Sequence, residues 1–517
     1  MVTRSHRRTV LAVIATVAVL VPLGWYWKTS LLPSTYSVMD MGYADYGGGP
    51  APSAALTDHN DMSGMSGMAA GRSVATLTGP TTRAADVRLT LVARKQRFRL
   101  ASGNVFDGYT LNGTSPGPQI RAVQGQLVQV KLVNESVPDG ITLHWHGLDV
   151  PGAEDGVAGV TQDAVPVGGS FTYRFLATQA GTFWYHSHQV SHEQVQRGLL
   201  GPLVITPLAH GQAVAGPGGG SSGSGPLLDQ PALVHLYGGV RTVNGRSGDS
   251  HIVATAGAHV RVRVINTDNG PMSTWVTGAA YRLVAVDGTD LHHPSVLTDT
   301  AVAVTAGGRA DIEVQLPADG SAARVELGGS AALVLGSAAP PNAAGAKAGR
   351  KPAKTLDLLS YGTPAPLGFD PTRAKRHFDY VIGRRPGFVR GRPGLWWTIN
   401  GHLFPDVPMF VVAQGDVVRM HVENHSGEVH PMHLHGHHAV VLSRNGVAST
   451  GSPWWVDSLN VLDGESYDLA FVADNPGIWM DHCHNLPHAA QGLVAHLMYE
   501  GVTEPFRVGG RPENQPE

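Results

Sequence analysis

The sequence predicts an all-β protein of three related β-sandwiches, set behind one N-terminal transmembrane helix and a flexible tether. Three observations predict it. Glycine (65) and proline (35) are frequent while charged residues make up only 15%, the balance of a chain made of short strands and turns. Period-2 runs such as Gln126 to Val133 and Val417 to Glu423 place apolar side chains on one face of a strand. One such strand, opened by glycine and closed by asparagine, occurs three times, at Gly125 to Asn134, Gly257 to Asn266 and Gly415 to Asn424. The length of 517 residues fits about three domains of roughly 150 residues each.

In chain order, residues 1–30 form a membrane anchor or signal segment. Arg4, His6, Arg7 and Arg8 precede the uncharged run Thr9 to Trp27, which ends in Trp25-Tyr26-Trp27 and Lys28. The run is close to the roughly 20 residues that span a bilayer. Its basic flank predicts a cytoplasmic N terminus and an extracytoplasmic body. No clean small-x-small cleavage site follows, which favours an uncleaved anchor; cleavage would make the protein secreted. Arg7-Arg8-Thr9-Val10-Leu11 also resembles a twin-arginine export signal.

Residues 31–84, rich in Gly, Ser, Ala and Pro, read as a flexible tether. It carries His59, Met62, Met65 and Met68. These are soft donors suited to Cu(I), or else a linker that happens to contain methionine.

The first sandwich spans 85–210, with strand patterns at Val87 to Val92, Gln126 to Val133, Phe171 to Phe175 and Gly201 to Ile205. Residues 211–226 (GQAVAGPGGGSSGSGP) are a linker. The second spans 227–361 and the third 362–508, followed by a tail, 509–517. The net charge of −3 gives no reason to expect a nucleic-acid partner.

Histidine is the informative residue. There are 26, and histidine is the commonest metal ligand. Four His-x-His pairs end predicted strands: His144/His146 and His186/His188 in the first sandwich, His433/His435 and His482/His484 in the third. Alternation along a strand puts both imidazoles of a pair on one side. The middle sandwich has the repeated strand but no pair. Cys483, the only cysteine, sits between His482 and His484 and points the other way. With His430 and His488 nearby, it completes the thiolate–imidazole donor set of a blue-copper centre.

In order and type, His144-Trp145-His146-Gly147, His186-Ser187-His188, His430-x-x-His433-x-His435-Gly436-His437 and His482-Cys483-His484-x-x-x-His488-x-x-x-Gly492 resemble the four copper motifs of multicopper oxidases. The likeness covers about Ala85 to Val502 and points to the three-domain, laccase-like bacterial branch. It implies three cupredoxin-like Greek-key domains and four copper ions. His430, Cys483 and His488 would hold type 1 copper, and His144 and His433 type 2. His146, His186 and His484 would hold one type 3 ion; His188, His435 and His482 would hold the other. The implied reaction couples four one-electron oxidations of phenols or similar donors to reduction of O2 to water. Cys483 would carry electrons to its histidine neighbours.

Some positions depart from the family pattern or carry weaker roles. Leu493 stands where an axial methionine is common, which implies three donors and a raised potential. Asp155 matches one acidic proton-relay position, whereas Ala489 occupies the other. Asp457, after Trp454-Trp455, reads as a turn or hydrogen-bonding anchor near the type 1 site. His192, His437 and His438 read as supporting groups. A cuprous oxidase acting in copper tolerance is the alternative, with Cu(I) or Fe(II) as donor. Ser426 speaks against it, standing where such enzymes often carry an acid. A non-catalytic copper-binding or electron-transfer protein is a remoter reading, because it would not need four pairs. Both halves of the cluster on one chain allow a monomer.

Overall fold

The computed structural model describes residues 2–51, 71–100, 103–208, 228–337, 349–510 and 512–517. The methionine cluster of the tether and the 211–226 linker lie outside the described residues.

Three sandwiches follow the N-terminal helix. The first packs the four-stranded sheet containing Val87–Arg99 and Leu127–Asn134 on a second one containing His144–His146 and Gly181–His186. The middle sandwich pairs a seven-stranded and a six-stranded sheet, and the third a six-stranded and an eight-stranded sheet. Each has its own apolar core.

The repeated strand has the same place in all three. Leu127–Asn134, His259–Asn266 and Val417–Asn424 each lie inside a sheet, parallel to the first long strand of their domain. The closing asparagine explains the repeat. Asn134, Asn266 and Asn424 are fully buried. Their Nδ2 groups donate to Val137 and Val165, to Gly270 and Val304, and to Glu428 and Val461 respectively. Each amide satisfies carbonyls where the chain leaves the sheet, which the buried backbone requires.

Trp184, Val195 and Leu200 of the first domain meet Leu233 and Ile265 of the second and Leu486 of the third in one small core. Burying side chains of this size contributes about 1.5–3 kcal/mol each. This junction lies beside the histidine pairs, so domain docking and site assembly are one event.

The segment read as a tether is not free throughout. Tyr43–Asp45 runs parallel to Pro408–Val412 at the edge of the six-stranded sheet of the third domain. Thr35–Tyr36 pairs with Val508–Gly509, and Arg72–Ser73 with Val502–Thr503. Val38, Met41, Val74 and Leu77 are buried there. Composition did not reveal this, because edge pairing uses backbone groups and needs only a few apolar anchors.

The helix Val2–Thr29 contains an apolar span, His6–Thr29, long enough to cross a membrane and not buried by the rest of the chain. Length and composition support that reading; a signal sequence has the same properties.

Candidate metal centre

The mononuclear site is built on the strand Ile478–Cys483, the turn at Asn485 and the short helix Leu486–Ala490, which brings His488 back over Cys483. The strand His430–Leu434 runs antiparallel beside it, with Met432 opposite Cys483. Cys483 Sγ lies 3.6 Å from His430 Nδ1 and 3.8 Å from His488 Nδ1, and the two nitrogens are 3.2 Å apart. The centre of that triangle is about 2 Å from each atom, the length of a metal–imidazole bond.

The outer nitrogens of both rings are held. His430 Nε2 meets Ser426 Oγ at 2.7 Å, and His488 Nε2 meets the Asn485 amide at 3.0 Å. Such contacts fix ring orientation and point Nδ1 inward. The Trp397 ring packs against both imidazoles. Burial, helped by His488, pulls His430 down to about 3, and burial pushes the Cys483 thiol well up. A thiolate here therefore requires a cation. Leu493 accepts the Cys483 N–H at its carbonyl, and its buried side chain offers no donor atom.

The second site is the meeting of the four His-x-His pairs. In each domain the two pairs lie on adjacent antiparallel strands, with His144 opposite His186 and His433 opposite His482. All eight side chains are at most 1% exposed. His433 Nε2 is 3.4 Å from His144 Nε2, and His435 Nε2 is 3.2 Å from His482 Nε2. Donor atoms of His188, His435 and His482 lie within 4.8 Å of one another, as do those of His144, His146 and His186. The His484 ring is 4.8 Å from His146 and 5.6 Å from His186, between centroids.

The residues fit metal ions. Burial lowers the imidazoles of His146, His186, His188, His435, His482 and His484 well below their ordinary range, so they are neutral and have a lone pair to give. His146 Nδ1, His186 Nε2 and both nitrogens of His188 and His484 have no partner among the described residues. Unpaired buried polar atoms cost about 1–3 kcal/mol each, a cost that bound cations remove.

Two carboxylates frame the cluster. Asp155 follows the turn Gly152–Glu154, and its side chain reaches His144 Nδ1 at 3.1 Å and His435 Nδ1 at 3.0 Å. One acid thus orients a histidine from each half. A Cβ at Gly156 would lie 1.8 Å from the Leu143 carbonyl, so only glycine allows this turn.

Asp457 is the second, and here the structure corrects the expectation. It is indeed a hydrogen-bonding anchor, but it serves the cluster rather than the mononuclear site. Its carboxylate lies 3.2 Å from His146 Nε2, 3.4 Å from His433 Nδ1 and 3.3 Å from His438 Nε2. Arg309 of the middle domain clamps it with both Nη atoms, one at 2.7 Å. Burial would raise Asp457, but the guanidinium and the imidazoles outweigh it and hold the carboxyl well down.

Arg309, Gly307 and Asp287, whose carboxylate lies 3.5 Å from Arg309 and accepts the Ser458 N–H, are positions beside the cluster that sequence reasoning missed. Gly307 packs so closely on His146 and His484 that a Cβ would be 2.7 Å from the first. The sequence carried no signal for Arg309, because the strand Arg309–Gln315 (RADIEVQ) is rich in charge and only the fold buries its first residue, beside the acid it requires. His437 bonds to Tyr499, and His438 to Asp149 and Asp457. Burial draws His438 down, yet those two carboxylates push it up to about 10. Asp481, on the face of its strand shared with Cys483, lines a cavity of about 40 Å³ between the two sheets of the third domain. Burial raises its carboxyl to about 8.

Two family models, both described as multicopper oxidase, match residues 94–210 and 372–501. The chain is 28% identical over 506 residues to the multicopper oxidase MmcO of Mycobacterium tuberculosis, covering 86% of this chain and 93% of that protein. It is 27% identical to Laccase-1 of Botryotinia fuckeliana, over 75% and 77% of the two chains. Its fold matches the crystal structure of a multicopper oxidase from Pseudomonas thermotolerans with a TM-score of 0.64 and 27% identity, over 80% of this chain and 100% of that one. Three cupredoxin domains, histidine clusters fit for metal and these likenesses together make the chain a member of the multicopper oxidase family, a copper-dependent oxidoreductase that uses O2.

Proposed function

We propose that the protein is a laccase-like oxidase holding four copper ions. His430, Cys483 and His488 hold the type 1 ion, and His144 and His433 the type 2 ion. The triads His146/His186/His484 and His188/His435/His482 hold the two type 3 ions. The observation that carries this reading is that the tripeptide 482–484 belongs to both sites. When bound, copper supplies one-electron transfer at the mononuclear site and four-electron reduction of O2 at the cluster.

The chain's own residues do the rest. His488, 8% exposed, is the edge open to a donor. The backbone from Cys483 to His482 and His484 joins the sites by a few bonds. Asp155 holds the outer nitrogens of His144 and His435 and is placed to carry a proton beside the cluster. Leu493 leaves the mononuclear site with three donors, which raises its potential. The donors of this reading are phenols, and the catalytic domains lie outside the cytoplasm, held by the N-terminal helix.

Oxygen uptake by the purified, copper-loaded protein with a phenol, Cu(I) or Fe(II) as donor tests this. Phenol is expected to support the highest kcat/KM. A blue centre that is reduced anaerobically but consumes no O2 on its admission would reject the oxidase. A second reading, a metal-ion donor, is favoured by one observation: the 45%-exposed Glu428 carboxylate lies 3.5 Å from His488 Nε2. A faster reaction with Cu(I) or Fe(II) would select it.

A further inference from the structure

The strand Arg376–Val389 pairs with Val417–Asn424 only as far as Ile382. Beyond it the strand pairs with Arg392–Ile399 alone, from Gly383↔Thr398 to Val389↔Arg392. The result is a two-stranded ribbon reaching out from the eight-stranded sheet. Its base covers the mononuclear site, where the Trp397 ring lies 4.5 Å from His488. Its tip is seated on the end of the apolar helix. There Gly391 N–H donates to Ser30 Oγ at 3.2 Å, and a Cβ at Gly391 would lie 2.8 Å from Leu31 Cδ2 and 3.4 Å from Trp27 Nε1.

Register sorts the ribbon's side chains. Cross-strand partners share a face, so Phe388/Pro393 and Pro386/Leu395 line the face that carries Trp397. Leu395 is 52% exposed. A track therefore runs from the helix end to the mononuclear site over roughly 20 Å, six residues at strand rise, apolar except for Arg384, whose guanidinium lies over the Trp397 ring at 4.3 Å. Charge is segregated here as well. Ile382 to Ile399 contains four arginines and no acid, in a chain whose net charge is −3. Such a basic, partly apolar element at a membrane-crossing segment is attracted to anionic headgroups.

We propose that the ribbon lies on the anionic surface of the bilayer that holds the helix, so that the mononuclear site receives its electrons from amphiphilic hydroquinones drawn from the membrane interface. This rests on the anchored-oxidase reading above. The stoichiometry is two hydroquinones to two quinones, with four electrons and four protons passing to one O2 to give two waters. Arg385 and Arg392, on the face opposite Leu395, hold the ribbon edge-on among the headgroups, so that both of its faces lie in that layer. The Leu395 track admits an alkyl-substituted ring toward His488, a route that a water-soluble donor does not need.

The test uses the copper-loaded full chain in liposomes. Cys483 is fully buried, so Leu395→Cys gives a single accessible thiol for a polarity-sensitive fluorophore. Brominated phosphatidylglycerol is expected to quench the label strongly, and quenching should fall several-fold in Arg385→Glu/Arg392→Glu. The same double variant should lose about tenfold in kcat/KM for a decyl-substituted hydroquinone while keeping its rate with unsubstituted hydroquinone. An unquenched label, or equal loss for both donors, overturns the proposal. Release of the chain by alkaline carbonate would instead defeat the anchor reading, and the proposal with it. Absence of O2 uptake with unsubstituted hydroquinone would defeat the oxidase reading.

Discussion

The two metal-type sites share three consecutive residues yet are built on opposite principles. The mononuclear site comes from a single domain, has donors 3.2–3.8 Å apart, and leaves His488 partly open under Trp397. The eight-histidine cluster is drawn from two domains, is closed by a third, and exposes none of its side chains by more than 1%. A site that only receives electrons can sit near the surface, because electrons cross a protein wall. A site that reduces O2 has to exclude donors and hold its charges in a dry setting, where each interaction is stronger. Covalent continuity through Cys483 lets the two be chemically joined and sterically separate.

The comparison breaks most completely at Cys483. Cys483→Ser is expected to abolish the blue absorption and reduce phenol oxidation more than a thousandfold, with copper content falling from four ions to three. Loss of all four ions would mean the sites are not independent. Next is Arg309→Met, which strips Asp457 of its buried partner. Breaking such a pair costs about 3–5 kcal/mol, so the unfolding midpoint should drop and the cluster should lose copper while the blue band persists; loss of the blue band first would reverse the assignment.

Asp155→Asn keeps the shape but removes the carboxylate that orients His144 and His435. Supporting contacts of this kind are worth about 10–100-fold. The expected result is reoxidation by O2 slowed by that factor with anaerobic reduction of the blue centre unchanged, as measured by stopped flow. The smallest effect belongs to Leu493→Met. An axial thioether should lower the potential of the blue centre and leave the cluster untouched; an unchanged potential in redox titration would show that residue 493 does not face the copper.

Histidine spacing carried the donor set into view because ligand pairs at i and i+2 on a strand share a face by geometry alone. The triplicated strand likewise announced three domains, since each copy ends in an asparagine that must satisfy its own loop. Asp155 was legible only through its match to an acidic position of the family pattern; its contacts with His144 and His435 came from the fold.

What tertiary structure alone decided are the contacts between segments that local pattern cannot link. Arg309 and Asp457 are 148 residues apart and in different domains, and neither lies in a motif that predicts the other. The middle domain, silent in ligand residues, proves to seal the cluster with Gly307 and anchor it with Arg309. The flanks of the tether became sheet edges through backbone pairing that composition does not encode. The seating of the ribbon tip on the helix end, and with it the position of the mononuclear site relative to the apolar helix, is set by the same kind of long-range contact. Donor chemistry is a local property of side chains and strand alternation, and the sequence by itself determined it. The charge balance and closure of the site depend on which distant groups burial forces together, and only the fold decides that.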